Sequence, residues 1–331
     1  MNVLWLQAAG CGGCSMSVLN ADSTDFHRLL RESGIELLWH PALSADSGPA
    51  LLQLLDDCRS GHRRLDVLAI EGALLRGPAG SGRFQRLGGS GRPMIEWVRE
   101  LAAVAQHVAA VGSCAAFGGV SAAGLNATEA CGLQFEDDIP GGLLGSFFRA
   151  RSGLPVINIA GCPTHPGWVI ETLAALAAGR LGATDLDALQ RPRFYADHLV
   201  HHGCTRNEFY EFKASAAQPS DQGCLMEHLG CKGTQAHADC NIRRWNGQGA
   251  CTSGGHACIS CTEPGFQDPG HAFDVTPKLA GIPIGLPTDM PKAWFIALAS
   301  LSKSATPRRV RQNANADHIV VAPTPKRTRL K

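Results

Sequence analysis

Three times in its first half this sequence repeats one junction, in which a short apolar run leads into glycine and then, directly or one residue on, cysteine. The run at residues 2–7 leads into Ala9-Gly10-Cys11-Gly12-Gly13-Cys14, the run at 107–111 into Gly112-Ser113-Cys114, and the run at 156–159 into Ala160-Gly161-Cys162-Pro163. A second concentration follows: His201-His202-Gly203-Cys204, then Cys224, Cys231, Cys240, Cys251 and Cys258-Ile259-Ser260-Cys261, seven cysteines and a histidine pair within 61 residues. Thiolates in groups of four suit iron–sulfur clusters, and imidazole replaces a thiolate at some iron centres. Zinc accepts the same donors, as four thiolates or as three with one imidazole. Seven cysteines and one histidine supply the eight ligands of two four-ligand sites, and spacing leaves the choice of metal open.

The elements around these residues decide which of them can meet. Apolar runs at 2–7, 35–39, 65–70, 107–111 and 156–159 read as strands. Helical patterns lie between them, at 93–105 with proline at the start and at 167–178. Short apolar strands alternating with helices imply a parallel sheet covered on both faces, a flavodoxin-like doubly wound α/β domain over 1–190. In such a sheet ligands bind in the crevice at the carboxyl ends of the strands. Cys11, Cys14, Cys114 and Cys162 are therefore expected to converge there as the ligands of a [4Fe–4S] cluster. From 191 to 290 glycine and cysteine become dense and periodicity disappears, the pattern of an irregular segment that needs staples to be ordered. Residues 303–331 carry Arg308, Arg309, Arg311, Lys326, Arg327, Arg329 and Lys331 against one acid, Asp317, and read as a basic, flexible tail.

Bulk properties set limits. The net charge is +1, which excludes a global field for nucleic acid. No apolar run reaches the roughly 18–20 residues that cross a bilayer, so no membrane anchor is expected. The N-terminus shows neither a basic export region nor a twin-arginine pair, and a cytoplasmic location is expected. Thirteen cysteines in a long chain of that location suit metal better than a disulfide framework.

Taken together, these motifs resemble one family. Cys11-Gly12-Gly13-Cys14, Gly112-Ser113-Cys114 and Gly161-Cys162-Pro163 resemble the proximal-cluster motifs of nickel–iron hydrogenase small subunits. His201-x-x-Cys204 followed by Arg206, and Cys224-Leu225 leading to Leu229-Gly230-Cys231-Lys232-Gly233, resemble the distal-cluster motif. Cys240, Trp245-Asn246, Gly255-His256-Ala257-Cys258-Ile259-Ser260-Cys261 and Glu263-Pro264-x-Phe266 resemble the medial region. The resemblance runs in order over residues 3–268. It implies a proximal [4Fe–4S] cluster on Cys11, Cys14, Cys114 and Cys162. It implies a distal [4Fe–4S] cluster on His201, rather than His202 or His198, with Cys204, Cys224 and Cys231. The medial cluster takes Cys240, Cys258 and Cys261. Many family members carry proline where this chain has Cys251, and their medial cluster has three irons. A thiolate at Cys251 implies a medial [4Fe–4S] cluster; without it, a [3Fe–4S] cluster. Gly13 and Gly119 stand where oxygen-tolerant membrane-bound relatives carry extra cysteines, which implies an ordinary proximal cluster.

The resemblance also implies the role. Hydrogen is split at a nickel–iron centre in a large subunit, in a heterodimer or a dimer of heterodimers, and this chain passes the electrons on. It holds no catalytic residue and no nickel site of its own. Glu71, at the end of the third strand, is the one residue expected to hydrogen-bond near the proximal site or to move protons toward the partner. The opening Leu4-Trp5-Leu6-Gln7 with Cys11-Gly12-Gly13-Cys14-Ser15-Met16-Ser17 resembles the cytoplasmic hydrogen-sensing group, in which hydrogen status is relayed to a histidine kinase. Cytoplasmic uptake enzymes are the alternative, and they tend to carry another residue where Cys14 stands. From a different class, a zinc-stapled interaction module remains the chemical rival. Cys58 and Cys131 match no motif, and Cys58 reads as a small core residue. The tail is expected to dock a partner and to be dispensable for cluster assembly.

Overall fold

A computed structural model describes residues 1–21 and 26–323. The first of two compact units comprises Met1–Asp197 with Trp245–Gly247 and Cys261–Asp268. Its centre is a five-stranded parallel sheet of β1 (Asn2–Gln7), β2 (Glu36–Trp39), β3 (Val67–Glu71), β4 (His107–Val111) and β5 (Ile157–Ile159), ordered β2-β1-β3-β4-β5. That is the flavodoxin-type doubly wound order. The strands β1, β3, β4 and β5 are buried along most of their length because both faces are covered, while the edge strand β2 is only partly buried. Leu4, Trp5, Val67, Leu68, Ile70, Val108, Ala109 and Ile157 are each at most 1% exposed.

Register brings the carboxyl ends level. Gln7 pairs with Glu71, Glu71 with Val111 and Val111 with Ile159, so one row crosses four strands where the cysteine loops begin. The helices used below are α1 (Gly13–Leu19), α2 (Met94–Val104), α3 (Ser113–Phe117) and α4 (Pro166–Ala177). In α2 Pro93 stands at the cap, and in α4 the His165 side chain accepts from the Gly167 amide.

The first unit extends past residue 190 for a definite reason. Tyr195 is fully buried, stacks on Trp168 with ring centroids 4.3 Å apart, donates to the Asn158 carbonyl and accepts from the Ala160 amide. The buried Arg191 guanidinium pairs with Asp187 and Glu263 and donates to the Thr262 carbonyl, which ties 261–268 to this unit. Such a buried ion set persists because each charge is paired.

The second unit comprises His198–Arg244, Gln248–Ser260 and the chain from Pro269 onward. It is mostly irregular, with one longer helix, α5 (Lys292–Ser304), and the shorter α6 (Arg308–Ala314). Here the expectation for 303–331 needs correction, so far as residues are described. Val310, Asn313 and Ala314 of α6 are buried. The Ala314 carbonyl accepts from the Gly223 amide at 2.9 Å and Ala316 from Gln222 at 2.9 Å. Asn313 accepts from the amides of Val320 and Val321. Buried side chains and paired backbone hold this segment against the unit; basic composition alone did not reveal them. Residues 324–331, with Lys326, Arg327, Arg329 and Lys331, lie outside the described residues. Among the described residues no helix is long and apolar enough to cross a membrane.

Candidate metal centres

The three strand–glycine–cysteine junctions meet at the carboxyl end of the sheet, as their order in the fold requires. The Gly112 amide donates to the Ile159 carbonyl (2.9 Å), the Ser113 amide to Gly161 (3.0 Å), and the Gly161 amide to the Ser113 hydroxyl (2.9 Å), so the loops carrying Cys114 and Cys162 are locked to each other. Ser113 in turn donates to the carbonyl of Cys261. The Ser17 hydroxyl donates to the Thr164 carbonyl at 2.7 Å, joining α1 to the loop after β5.

Two glycines show how closely the backbone approaches the thiols. Gly112 has φ +87°, and a Cβ there would stand 2.5 Å from the Cys14 sulfur. Gly119 has φ +52°, and its Cβ would stand 2.9 Å from the Cys114 sulfur. Both conformation and space demand glycine. Burial raises the Cys14 and Cys114 thiols above the ordinary range and pushes Cys162 up to about 11. Charge on neighbouring sulfurs adds to each: Cys114 and Cys162 act on Cys14, Cys11 on Cys114, and Cys114 and Cys11 on Cys162. Cys11 is exposed and the other three are half-buried; mutually repelling thiols so placed are stabilised as thiolates by a cation that compensates them.

Glu71 lies under this group, 2% exposed. Its carboxylate accepts from the amides of Cys14 and Ser15 at 3.1 Å each, from the Trp5 indole at 3.1 Å and from the Ser15 hydroxyl. It thus caps the first turn of α1 and holds the backbone of Cys14. His40, 1% exposed, extends the network. Its Nδ1 accepts from the Ala42 amide at 3.1 Å, which leaves the hydrogen on Nε2 to donate to Ser15 Oγ at 3.2 Å. His40 has no signal in the sequence, because the Ser15 hydroxyl that joins it to this network lies 25 residues away.

In the second unit His201, Cys204, Cys224 and Cys231 line one small, almost wholly apolar cavity, together with Arg206 and Tyr210. Burial pushes Cys224 up to about 12 and raises Cys231. The two histidines of the pair are not equivalent. His202 uses both ring nitrogens: Nδ1 accepts from the Leu199 amide at 3.3 Å, and Nε2 meets Asp289 Oδ2 at 3.1 Å. His201 spends only Nε2, on the same Asp289 oxygen at 2.9 Å. Its Nδ1 is buried and has no hydrogen-bond partner. A buried orphan nitrogen beside three thiols fits a site that takes a metal. Burial lowers the His201 pKa, with Asp289 opposing, so the ring is neutral and able to ligate. The Asp289 carboxyl sits below its usual range; burial would raise it, but the bonds from His202 and His201 prevail.

Arg206 buttresses this wall, donating to the carbonyls of Thr252, Asp221 and Gly223. Cys240, Cys251 and Cys258 belong to the second unit and Cys261 to the first. The Cys258 amide donates to the Cys231 sulfur at 3.3 Å, while the Cys258 carbonyl accepts from Lys232 at 2.8 Å. One expected medial ligand is thereby hydrogen-bonded directly to one expected distal ligand. Cys251 is exposed, and its neighbour Thr252 is buried against Cys204. Cys58 and Cys131 are buried thiols of the hydrophobic core, each pushed up to about 11 by burial.

Comparison with known proteins identifies the family. Residues 11–176 match the family model of the NADH ubiquinone oxidoreductase 20 Kd subunit, and residues 196–274 that of the C-terminal part of the NiFe/NiFeSe hydrogenase small subunit. The chain is 35% identical over 305 residues to the F420 non-reducing hydrogenase I small subunit of Methanosarcina mazei, covering 85% of this chain and 77% of that one. It is 33% identical to the periplasmic [NiFeSe] hydrogenase small subunit of Desulfomicrobium baculatum, covering 82% and 86%. Among solved structures, the actinobacterial-type NiFe-hydrogenase of Ralstonia eutropha H16 superposes with a TM-score of 0.75 at 27% identity, over 93% of this chain and 92% of that one. The reduced Ni-Fe-Se hydrogenase of Desulfomicrobium baculatum superposes with a TM-score of 0.70 at 31% identity, over 83% and 98%. The chain therefore belongs to the nickel–iron hydrogenase small subunits, the iron–sulfur electron-transfer subunits that work in a heterodimer with a large subunit.

Proposed function

We propose that this subunit holds three [4Fe–4S] clusters and serves a cytoplasmic hydrogen-sensing hydrogenase that signals to a histidine kinase. The observation that carries the cluster assignment is the pair of donor sets. Four cysteines stand at the level ends of β1, β4 and β5, and the His201 orphan nitrogen shares a cavity with Cys204, Cys224 and Cys231. Cys11, Cys14, Cys114 and Cys162 hold the proximal group; Cys240, Cys251, Cys258 and Cys261 the medial; His201, Cys204, Cys224 and Cys231 the distal. Bound there, the clusters supply one-electron steps for the two electrons released when hydrogen becomes two protons in the large subunit. The chain's own residues orient the ligands and exclude water. Glu71 holds the Cys14 backbone, Ser113 binds the Cys114 and Cys162 loops together, and Arg206 fixes the backbone before Cys224.

Support for the sensing role is the run from Leu4 to Ser17, whose resemblance to that group includes Cys14. The alternative is a cytoplasmic uptake hydrogenase with the same clusters. The test is anaerobic co-purification with a large subunit, metal analysis and hydrogen-dependent dye reduction, then addition of a histidine kinase. Twelve irons per chain follow from three clusters of four, with one ligand set each. Hydrogen should change the kinase's autophosphorylation rate. A brown, active complex that leaves the kinase indifferent would support the uptake reading, whereas stoichiometric zinc would remove the redox role altogether.

A further inference from the structure

We propose that Asp289 is the positioning residue of the distal cluster, fixing the tautomer and ring orientation of His201 and strengthening it as a ligand. The inference rests on His201 being a ligand of that cluster.

A neutral imidazole carries one hydrogen, and its position decides which nitrogen can bind a metal. His201 Nε2 lies 2.9 Å from Asp289 Oδ2, while Nδ1 is buried without a partner. A carboxylate accepts and does not donate, so the hydrogen sits on Nε2 and the Nδ1 lone pair is left for iron. The backbone of His201 is fixed separately, its amide donating to Gly233 at 3.0 Å. Rotation of the ring is resisted by the Asp289 bond and by two neighbouring rings, Tyr210 with centroids 5.0 Å apart at 61° and His202 at 4.7 Å.

His202 completes the arrangement. Its Nδ1 accepts from Leu199, so its Nε2 also carries a hydrogen, and that hydrogen points at the same Oδ2 at 3.1 Å. Two N–H groups converge on one oxygen, and Asp289 is anchored from both. Carboxylate–histidine–metal arrangements raise the basicity of the ring and stabilise the oxidised metal. Asp289 is 88 and 87 residues from the two histidines in sequence, in the Pro287-Thr288-Asp289-Met290-Pro291 stretch, and no motif marks it.

The experiment uses the complete complex with its large subunit, carrying Asp289→Asn, Asp289→Ala or His201→Cys. EPR-monitored redox titration reads the distal potential. Pulsed EPR on protein labelled with 15N-histidine reads the ligand nitrogen, and iron analysis reads occupancy. In wild type a histidine nitrogen should couple to one cluster, and His201→Cys should abolish that coupling. Asn has the size of Asp and still accepts through its amide oxygen, but lacks the charge. It should keep the iron and the coupling while favouring the reduced cluster about tenfold, the lower end of what such outer partners contribute, which for one electron is 59 mV upward. Ala should also broaden or shift the nitrogen coupling, because the ring is no longer held. Wild-type potential and wild-type coupling in both Asp289 variants would overturn the proposal while leaving His201 a ligand. A wild-type complex without any histidine coupling would instead remove the ligand assignment itself.

Discussion

At the scale of single residues, the positions that decide this site are small ones. Gly112 leaves no room for a methyl group: its Cβ would meet the Cys14 sulfur at 2.5 Å, on a backbone with φ +87°. Gly112→Ala should therefore displace Cys14 and cost the proximal cluster, seen as a fall of about four irons per complex, one cluster's worth. Gly88→Ala, where a Cβ meets nothing within 4 Å, is the control and should keep its iron. Cys251 is the other decisive position. Cys251→Pro should leave three medial thiolates and a three-iron cluster, detected as a new paramagnetic signal in the oxidised protein. Unchanged spectra would mean that Cys251 is no ligand. The candidate ligands were legible in the sequence because clustered cysteines stand out and glycine before them marks a turn. The residues that hold them were not. Asp289, His40 and Tyr210 act across chain separations as long as 88 residues and belong to no local pattern.

At the scale of elements, the five strands were readable because apolar runs covered on both faces need nothing else to declare themselves. The observed strands differ from the reading at their ends. The third begins at Val67 and runs on to Glu71, because backbone pairing with Gln7 and Val111 continues through that residue. The two-residue strands Leu74–Leu75 and Ala130–Cys131 pair antiparallel, and such short pieces have no periodicity to detect. The junction of β1 with α1 depends on the Trp5–Glu71–Ser15–His40 network. Replacing Glu71 by Leu strands two amides, an indole and a hydroxyl; with about 1–3 kcal/mol for each unsatisfied buried donor, the loss should be several kcal/mol. The midpoint of thermal unfolding should fall accordingly, and proximal iron with it. The same network gives a pH dependence. Burial lowers the His40 pKa, with Glu71 opposing. The folded state therefore binds fewer protons than the unfolded chain once pH drops below about 6.5, the ordinary histidine value. Stability held above that pH is lost as pH falls through it. Thermal midpoints at pH 7.5, 6.5 and 5.5 should show a slope that His40→Gln reduces; equal slopes would exclude His40 as its source.

At the scale of the whole molecule, the end of the chain bears on the distal site. Its composition suggested a solvated arm whose removal would spare every cluster, since all the ligands precede it. In its described part this end is not a solvated arm, because α6 is packed against the unit. Ala314 and Ala316 accept from Gly223 and Gln222, the two residues immediately before Cys224. A Cβ on Gly223 would meet the Ala314 oxygen at 2.7 Å, so the two backbones are in contact. Arg309 pairs with Glu208 as well, although a partly exposed pair of this kind adds little. Buried Val310 and Ala314 supply the larger apolar contribution, about 1.5–3 kcal/mol for a fully buried valine side chain. The consequence is a graded truncation. Removing 324–331 takes away four of the basic residues and none of the candidate ligands, and should leave iron content and hydrogen–dye activity at wild-type levels. Removing 305–331 also withdraws α6 from the backbone that presents Cys224. It should lower iron toward eight per complex and weaken the distal EPR signal, while the proximal signal persists in the other unit. If the longer deletion retains all its iron, the segment acts only at a partner surface, and kinase pull-down should then show the loss instead.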